Sequence, residues 1–119
     1  MKTNNFELEL EQIGFNKSEI KVYLTLLKIG SSTTGPIISE SRTANSKIYE
    51  VLDKLIHKGL VSYFVKGNVK YYKATNPRML LNYLDERKEK IEKEKEKINE
   101  LIPSLIRNFA FIFLCERIF

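Results

Sequence analysis

The 119-residue sequence predicts a mainly α-helical fold with one small β-hairpin. In residues 44–58, apolar side chains recur at spacings of three and four, which is the period of one helix face. Gly59 then offers a stop signal. Residues 60–66 and 69–74 are rich in Val, Tyr and Phe, and they predict two strands around the turn pair Gly67-Asn68. A helix followed at once by a hairpin predicts a winged helix-turn-helix, in which the hairpin is the wing.

The helix predicted at 44–58 has a core face and a free face. Its core face comprises Ile48, Val51, Leu52, Leu55 and Ile56. Thr43 or Asn45 is expected to cap its first turn, because a short side-chain oxygen satisfies N–H groups that have no carbonyl partner. The residues on or beside the opposite face are Asn45, Ser46, Lys47, Tyr49, Glu50, Asp53, Lys54 and His57. These side chains are therefore available to a ligand.

An earlier helix has both of its ends predicted by the sequence. Asn16 and Glu19 have the spacing of a capping box, and Gly30 is expected to end the helix just after Ile29. Its predicted buried face comprises Ile20, Tyr23, Leu24 and Leu27, with Leu26 as a further candidate. A short second helix is expected around Pro36, whose ring suits a first helical turn. A short apolar lead-in precedes these helices, and the sequence does not assign the element that it pairs with. It comprises Phe6, Leu8, Leu10 and Ile13.

The positive charge of the chain is concentrated around the predicted helix and hairpin. The whole sequence has a formal net charge of +5 and a pI of about 9.3. Residues 42–73 hold seven basic and two acidic side chains, a net charge of +5, so the remaining segments cancel. Each Lys or Arg brought to a phosphate releases condensed counterions. The coincidence of charge with this structural pattern favours a nucleic-acid partner over a merely solvated basic surface.

The chain contains two runs with a recognisable pattern, LEQIGFNKSEIKVYLTLLKIG at 10–30 and SKIYEVLDKLIHKGLV at 46–61. With these runs the chain resembles, over about residues 8–100, the N-terminal DNA-binding domain of the TrmB-like transcriptional regulators. Similar winged helices occur in MarR-like regulators. The resemblance implies a dimeric regulator that binds operator DNA.

Two kinds of contact to double-stranded DNA are expected from a dimer with helix 44–58 in the major groove and wing 61–74 on the backbone. The predicted contacts to base edges are Thr43, Asn45, Ser46, Lys47, Tyr49 and Glu50. The predicted contacts to phosphates and sugars are Arg42, Lys54, Lys66, Asn68, Lys70 and Lys73. Among the first group, Asn45 suits adenine, Lys47 suits guanine, and Glu50 suits the amino group of cytosine.

Length and composition limit the other partners. Longer TrmB-like proteins carry a C-terminal sugar-binding domain, for which 119 residues leave no room, so we expect no small-molecule effector and no cofactor. Cys115 is the only cysteine, and the N-terminus lacks the features of a secretion signal. We therefore expect a cytoplasmic protein. The sequence has no apolar run of the roughly 20 residues that a membrane span needs.

The sequence predicts two regions, a winged helix-turn-helix domain at 1–75 and a dimerisation region at 76–119. Asn76-Pro77 suits the start of a long helix, which Pro103 is expected to break. Apolar residues recur there every seven positions, as in a coiled coil, although charged residues thin the seam. The predicted dimer interface comprises Leu84, Ile91, Ile98, Leu101, Leu105, Phe109 and Phe113. The alternatives are a single solvated helix and, for the apolar end, a membrane-surface or partner-protein anchor.

Catalysis is not expected. His57 is the only histidine, and it has no cysteine or second histidine at metal-ligand spacing. The sequence contains no Gly-rich phosphate loop and no nucleophile elbow. The competing function is a winged-helix module that binds protein inside a transcription or replication assembly. The charge concentrated on the helix and wing favours DNA over that alternative.

Overall fold

The structure is a computed structural model, which describes the backbone of residues 2–116 and the side chains of residues 6–109. It divides into two compact units, Met1–Tyr83 and Leu84–Phe119. The functional regions predicted at 1–75 and 76–119 remain a prediction.

Residues 2–116 are mostly helical and contain one antiparallel hairpin, which confirms the predicted fold class. The elements in chain order are α1 (Lys2–Gln12), α2 (Lys17–Ile29), α3 (Thr34–Ser41), α4 (Ile48–His57), β1 (Val61–Lys66), β2 (Val69–Ala74) and α5 (Met79–Glu116). Helices α2, α3 and α4 with the hairpin form a winged helix-turn-helix, in which α4 holds the place of the recognition helix.

The capping box at the start of α2 is present as predicted. The Asn16 side-chain oxygen accepts the Glu19 N–H at 2.8 Å, and the Glu19 carboxylate accepts the Asn16 N–H at 3.0 Å. Gly30 ends the helix with a φ of 80°. The candidate Leu26 is buried, but one detail of the predicted face was wrong, because Leu27 is exposed and Val22 is buried in its place. The apolar lead-in is helix α1.

One core joins the helices of the winged domain to the base of the hairpin. Its buried apolar side chains are Leu10, Phe15, Ile20, Val22, Tyr23, Leu26, Ile37, Ile48, Val51, Leu52, Leu55, Leu60, Val61 and Tyr72. The apolar stripe of α4 contributes four of them, so this helix is held by one face while the other remains exposed.

Tyr23 brings a polar atom into this core without a partner. The side chain is buried, and its hydroxyl has no hydrogen-bond partner among the described residues. Burial also raises the pKa of Tyr23 from the ordinary value of 10.0. An unsatisfied buried hydroxyl carries a desolvation penalty that the aromatic ring alone does not.

We therefore expect Tyr23→Phe to raise the free energy of unfolding by about 1 kcal/mol in urea titrations. Folding favours the neutral phenol, because the folded state has the higher pKa. The stability of the wild-type protein should thus fall as the pH rises above 10.0, and Tyr23→Phe should weaken that fall. A less stable Phe variant would mean that the hydroxyl is hydrogen-bonded in solution.

The recognition helix begins four residues later than the sequence predicted. Helix α4 starts at Ile48 rather than Ala44, and Lys47 occupies the N-cap position without a side-chain capping bond. The predicted caps were therefore wrong. Residues 45–47 form a turn, which the Lys47 N–H closes on the Ala44 carbonyl at 3.0 Å. Asn and Ser compete with helical hydrogen bonding and favour such turns, which accounts for the shift.

The hairpin is confirmed, with β1 starting one residue later than predicted. The turn residues Gly67 and Asn68 have φ of 57° and 64°, the positive angles that a two-residue hairpin turn requires. A third partner of the sheet was not predicted from the sequence. Ser32 exchanges two backbone hydrogen bonds with Tyr72, at 2.9 and 2.7 Å, and so ties the base of the wing to the segment before α3.

Helix α5 differs from its prediction at both ends. It begins at Met79, after a turn that contains Pro77, and it continues through Pro103 to Glu116. The break expected at Pro103 was wrong. A proline removes one backbone hydrogen bond, here the one to the Asn99 carbonyl, and a helix with long flanks on both sides can tolerate that loss.

Candidate nucleic-acid interface

The turn before α4 and the first turn of the helix present a set of adjacent exposed side chains. We call this set the reading surface, and its members are Asn45, Ser46, Lys47, Tyr49 and Glu50. The buried Ile48 anchors the segment from below. The first three residues lie on the turn that precedes the helix, and all three are exposed. The surface combines amide, hydroxyl, ammonium and carboxylate groups, which together can pair with any base edge in a major groove.

Thr43 does not belong to this surface, contrary to its predicted contact with base edges. Its side chain is buried, with 7% of the residue exposed, and its hydroxyl accepts a hydrogen bond from Ser41 at 3.0 Å. The chain reverses at Arg42, which ends α3 in the left-handed conformation with a φ of 59°. This turn buries Thr43 and leaves Arg42 exposed.

Lys58, one of the basic residues at 42–73, is mostly buried and does not belong to the exposed basic surface. Its ammonium contacts both carboxylate oxygens of Glu19, at 3.0 and 2.9 Å, and lies 4.5 Å from the centroid of the Phe15 ring. Only 20% of the Lys58 side chain and 3% of the Glu19 side chain are exposed. Lys58 therefore neutralises a buried carboxylate, and it adds no charge to the basic surface.

A second ion pair, on the exposed side of α4, is of a weaker kind. Lys54 lies 3.7 Å from Glu50, and the two side chains are 51% and 65% exposed. Such pairs contribute little and open readily when a ligand competes. His57 is exposed too, and its Nδ1 is 3.0 Å from the Asp53 carbonyl. Glu50, Lys54 and His57 are thus exposed and accessible to a partner.

The register of the hairpin separates the side chains of the wing into two faces. Residues paired across an antiparallel ladder point to the same side, and successive residues alternate. The inner wing face comprises Val61, Tyr63, Val65, Lys70, Tyr72 and Ala74. The outer wing face comprises Ser62, Phe64, Lys66, Val69, Tyr71 and Lys73. The three lysines predicted as one group therefore lie on opposite faces.

The inner wing face adjoins the recognition helix. Burial raises the pKa of Tyr72, and the neighbouring Tyr49, Asp53 and Tyr63 raise it further. The ammonium of Lys70 lies 4.3 Å from the centroid of the Tyr63 ring. This contact holds the lysine by a cation–π interaction on the face next to α4. Lys70 and Tyr49 of the reading surface are thus both neighbours of the tyrosines on the inner wing face.

The predicted dimer seam lies on α5 and is exposed in the single chain. Leu84 is half-buried. The exposed apolar side chains of this helix are Leu81, Ile91, Ile98, Leu101, Ile102, Leu105, Ile106 and Phe109. From Ile98 onward they recur at spacings of three and four, which forms one continuous stripe. The side chain of Phe113 lies outside the described residues.

Sequence reasoning missed two features of this surface. The stacked rings of Phe64 and Tyr71 were counted only as residues that favour strands, although their register makes them direct cross-strand neighbours. The second feature is the link from Ser32 to Tyr72, which depends on a contact 40 residues away in sequence. Among the described residues, no helix has the length and apolarity of a membrane span.

Comparison with known proteins agrees with this geometry. The family model of the sugar-specific transcriptional regulator TrmB matches residues 10–78, more than half of the chain. The regulator TrmBL1 of Pyrococcus furiosus, named as a sugar-sensing protein, is 37% identical over 78 residues. That alignment covers 66% of this chain but only 23% of the relative. The chain therefore corresponds to a minor part of TrmBL1.

Solved structures show the same fold. TrmBL2, an archaeal chromatin protein with a novel mode of DNA binding, superposes with a TM-score of 0.75 at 23% identity, over 94% of this chain and 44% of that one. A MarR family transcriptional regulator from Silicibacter pomeroyi superposes with a TM-score of 0.52 at 15% identity, over 92% and 63% of the two chains. With the family match over residues 10–78, the chain belongs to the TrmB family of DNA-binding winged-helix transcriptional regulators.

Proposed function

We propose that the protein is a homodimeric regulator that binds double-stranded DNA sequence-specifically. The observation that carries the proposal is the reading surface, five adjacent exposed polar side chains at the start of a helix whose other face is buried. Helix α4 would enter the major groove with this surface at the base edges. In a symmetric dimer the two helices would lie in successive grooves, roughly 34 Å apart.

Three side chains of the reading surface have a chemical counterpart in the groove. Asn45 can bond adenine in a bidentate manner, Lys47 can donate to guanine, and Glu50 can accept from cytosine once its exposed pair with Lys54 opens. Thr43 is left out because it is buried. The proposed phosphate and sugar contacts are Arg42, Lys54, Asn68 and Lys70. Lys66 and Lys73 are omitted because they lie on the outer wing face.

The experiment begins with selection of preferred sequences from a random duplex pool. The winning duplex and a scrambled duplex are then titrated with protein at several salt concentrations, with fluorescence anisotropy as the measurement. A specific regulator should prefer the selected duplex, and its affinity for both should fall as salt rises. If selection yields no preferred sequence, specificity is excluded. If neither duplex binds at low salt, the protein-interaction alternative is favoured.

Two substitutions should separate base contacts from backbone contacts. We expect Asn45→Ala to weaken binding to the selected duplex by about 1–3 kcal/mol and to relax the preference at one base pair. Lys70→Ala should weaken both duplexes equally and lower the salt slope by about one. Lys28→Ala, an exposed lysine at the end of α2, is the control and should change neither quantity. A change of sequence preference in Lys70→Ala would contradict this division of roles.

A further inference from the structure

The outer wing face has a composition that contacts to duplex DNA do not require. At its centre the rings of Phe64 and Tyr71 are stacked, with centroids 5.4 Å apart and planes 11° from parallel. Phe64 is 40% exposed, although a phenyl ring can form no hydrogen bond with a groove edge or a phosphate. Phe64 is therefore an exposed ring backed by the half-buried Tyr71, an arrangement that suits a partner with an apolar, planar surface.

Two lysines lie on either side of this aromatic pair. The register places Lys73 opposite Ser62, on one side of the rings, and Lys66 opposite Val69, on the other side. Both lysines are exposed, and neither forms an ion pair with any residue that the structure describes. None of the six residues of the face is acidic. The surface is thus an aromatic platform between two uncompensated positive charges.

We propose that the outer wing face binds single-stranded nucleic acid. An unpaired base would stack on the ring pair of Phe64 and Tyr71, and the flanking phosphates would contact Lys66 and Lys73. Single strands fit this face better than duplexes do, because the flat surface of a base is covered by its neighbours in a duplex and free in a single strand. Aromatic side chains interleaved with basic ones on a sheet are the arrangement that such strands require.

This site is separate from the proposed duplex site. The reading surface lies on the turn at 45–47 and the first turn of α4, and Lys70 lies on the inner wing face, whereas Phe64 and Tyr71 point to the opposite side of the hairpin. The two sites therefore share a wing without sharing side chains. Substitutions on the outer wing face should leave duplex binding unchanged.

The test uses a single tryptophan as a reporter, because the chain contains none. In the 119-residue chain, Phe64→Trp places an indole on the outer wing face. We expect a short oligothymidylate to quench its emission by stacking, and oligouridylate to do the same, since stacking requires only the base. An abasic strand of equal length should not quench it. Val65→Trp, on the inner wing face of the same strand, is the matched control and should be quenched much less.

A second variant measures affinity. We expect Phe64→Leu to weaken binding of labelled oligothymidylate about tenfold, with the selected duplex unaffected. Equal quenching by the abasic strand, or no binding of oligothymidylate, would overturn the proposal. An equal loss of duplex affinity in Phe64→Leu would overturn it too, since that would place the face in the duplex site. A wild-type protein that binds oligothymidylate but no duplex would instead contradict only the proposed function as a duplex-binding regulator.

Discussion

Lys58→Met is expected to lower the free energy of unfolding by about 3 kcal/mol, which is large for a single surface-proximal substitution. The substitution removes the ammonium that contacts both oxygens of Glu19, and it leaves a buried carboxylate with the Asn16 N–H as its remaining partner. Methionine replaces the aliphatic part of the lysine side chain and lacks only the ammonium, which also lies over the Phe15 ring. The measured loss should therefore report the uncompensated carboxylate together with the lost cation–π contact.

The matched control is Lys54→Met, which breaks the exposed pair with Glu50 on the same helix. Because that pair is 3.7 Å long and solvated, its loss should cost less than about 0.5 kcal/mol. Urea titrations followed by circular dichroism measure both variants. Equal, small effects in the two variants would show that the contact between Lys58 and Glu19 does not persist in solution.

The partner residue completes a double-mutant cycle. Glu19→Gln keeps an oxygen that can accept the Asn16 N–H, and the Lys58 ammonium, partly exposed, can turn towards water. We therefore expect a smaller loss than in Lys58→Met. With both substitutions the buried charge is absent, so the double variant should be more stable than the sum of the single losses implies. Simple additivity would contradict a direct interaction.

The sequence predicted best those features that depend on a few adjacent residues. The Gly67-Asn68 turn follows from positive φ angles that few residue pairs adopt, and the Asn16 capping box follows from a spacing of three. Both are short-range hydrogen-bond or backbone effects, and the rest of the chain changes them little. The hairpin register follows in turn from the tight turn.

Features that depend on distant contacts were missed or misplaced. Lys58 is one of the seven basic residues at 42–73 that were assigned to the basic surface. Nothing near it in sequence indicates its partner, which lies 39 residues away. Thr43 was expected at the surface, although the left-handed turn at Arg42 buries it. At Pro103 a local signal was given too much weight. Proline tends to break helices, but here it lies inside a helix of 38 residues. Local propensity is a weak guide when tertiary context or helix length outweighs it.

Leu105→Glu should convert the proposed dimer to a monomer. Leu105 is 51% exposed in the single chain, within the apolar stripe of α5, so the carboxylate should not disturb the folded protomer. In a symmetric interface the substitution counts twice. Losing two buried leucines costs about 3–6 kcal/mol, which raises the dimer dissociation constant by at least about a hundredfold.

Ser104→Glu is the control, because it adds the same charge one residue away, about 100° around the helix and outside the stripe. Sedimentation over a range of concentrations should show a dimer for the wild-type and Ser104→Glu proteins and a monomer for Leu105→Glu, with equal helicity in all three. Because a monomer presents one recognition helix, Leu105→Glu should bind a half-site duplex as the wild type does and lose the extra affinity for the full site. A Leu105→Glu protein that still sediments as a dimer would place the interface elsewhere than on this stripe.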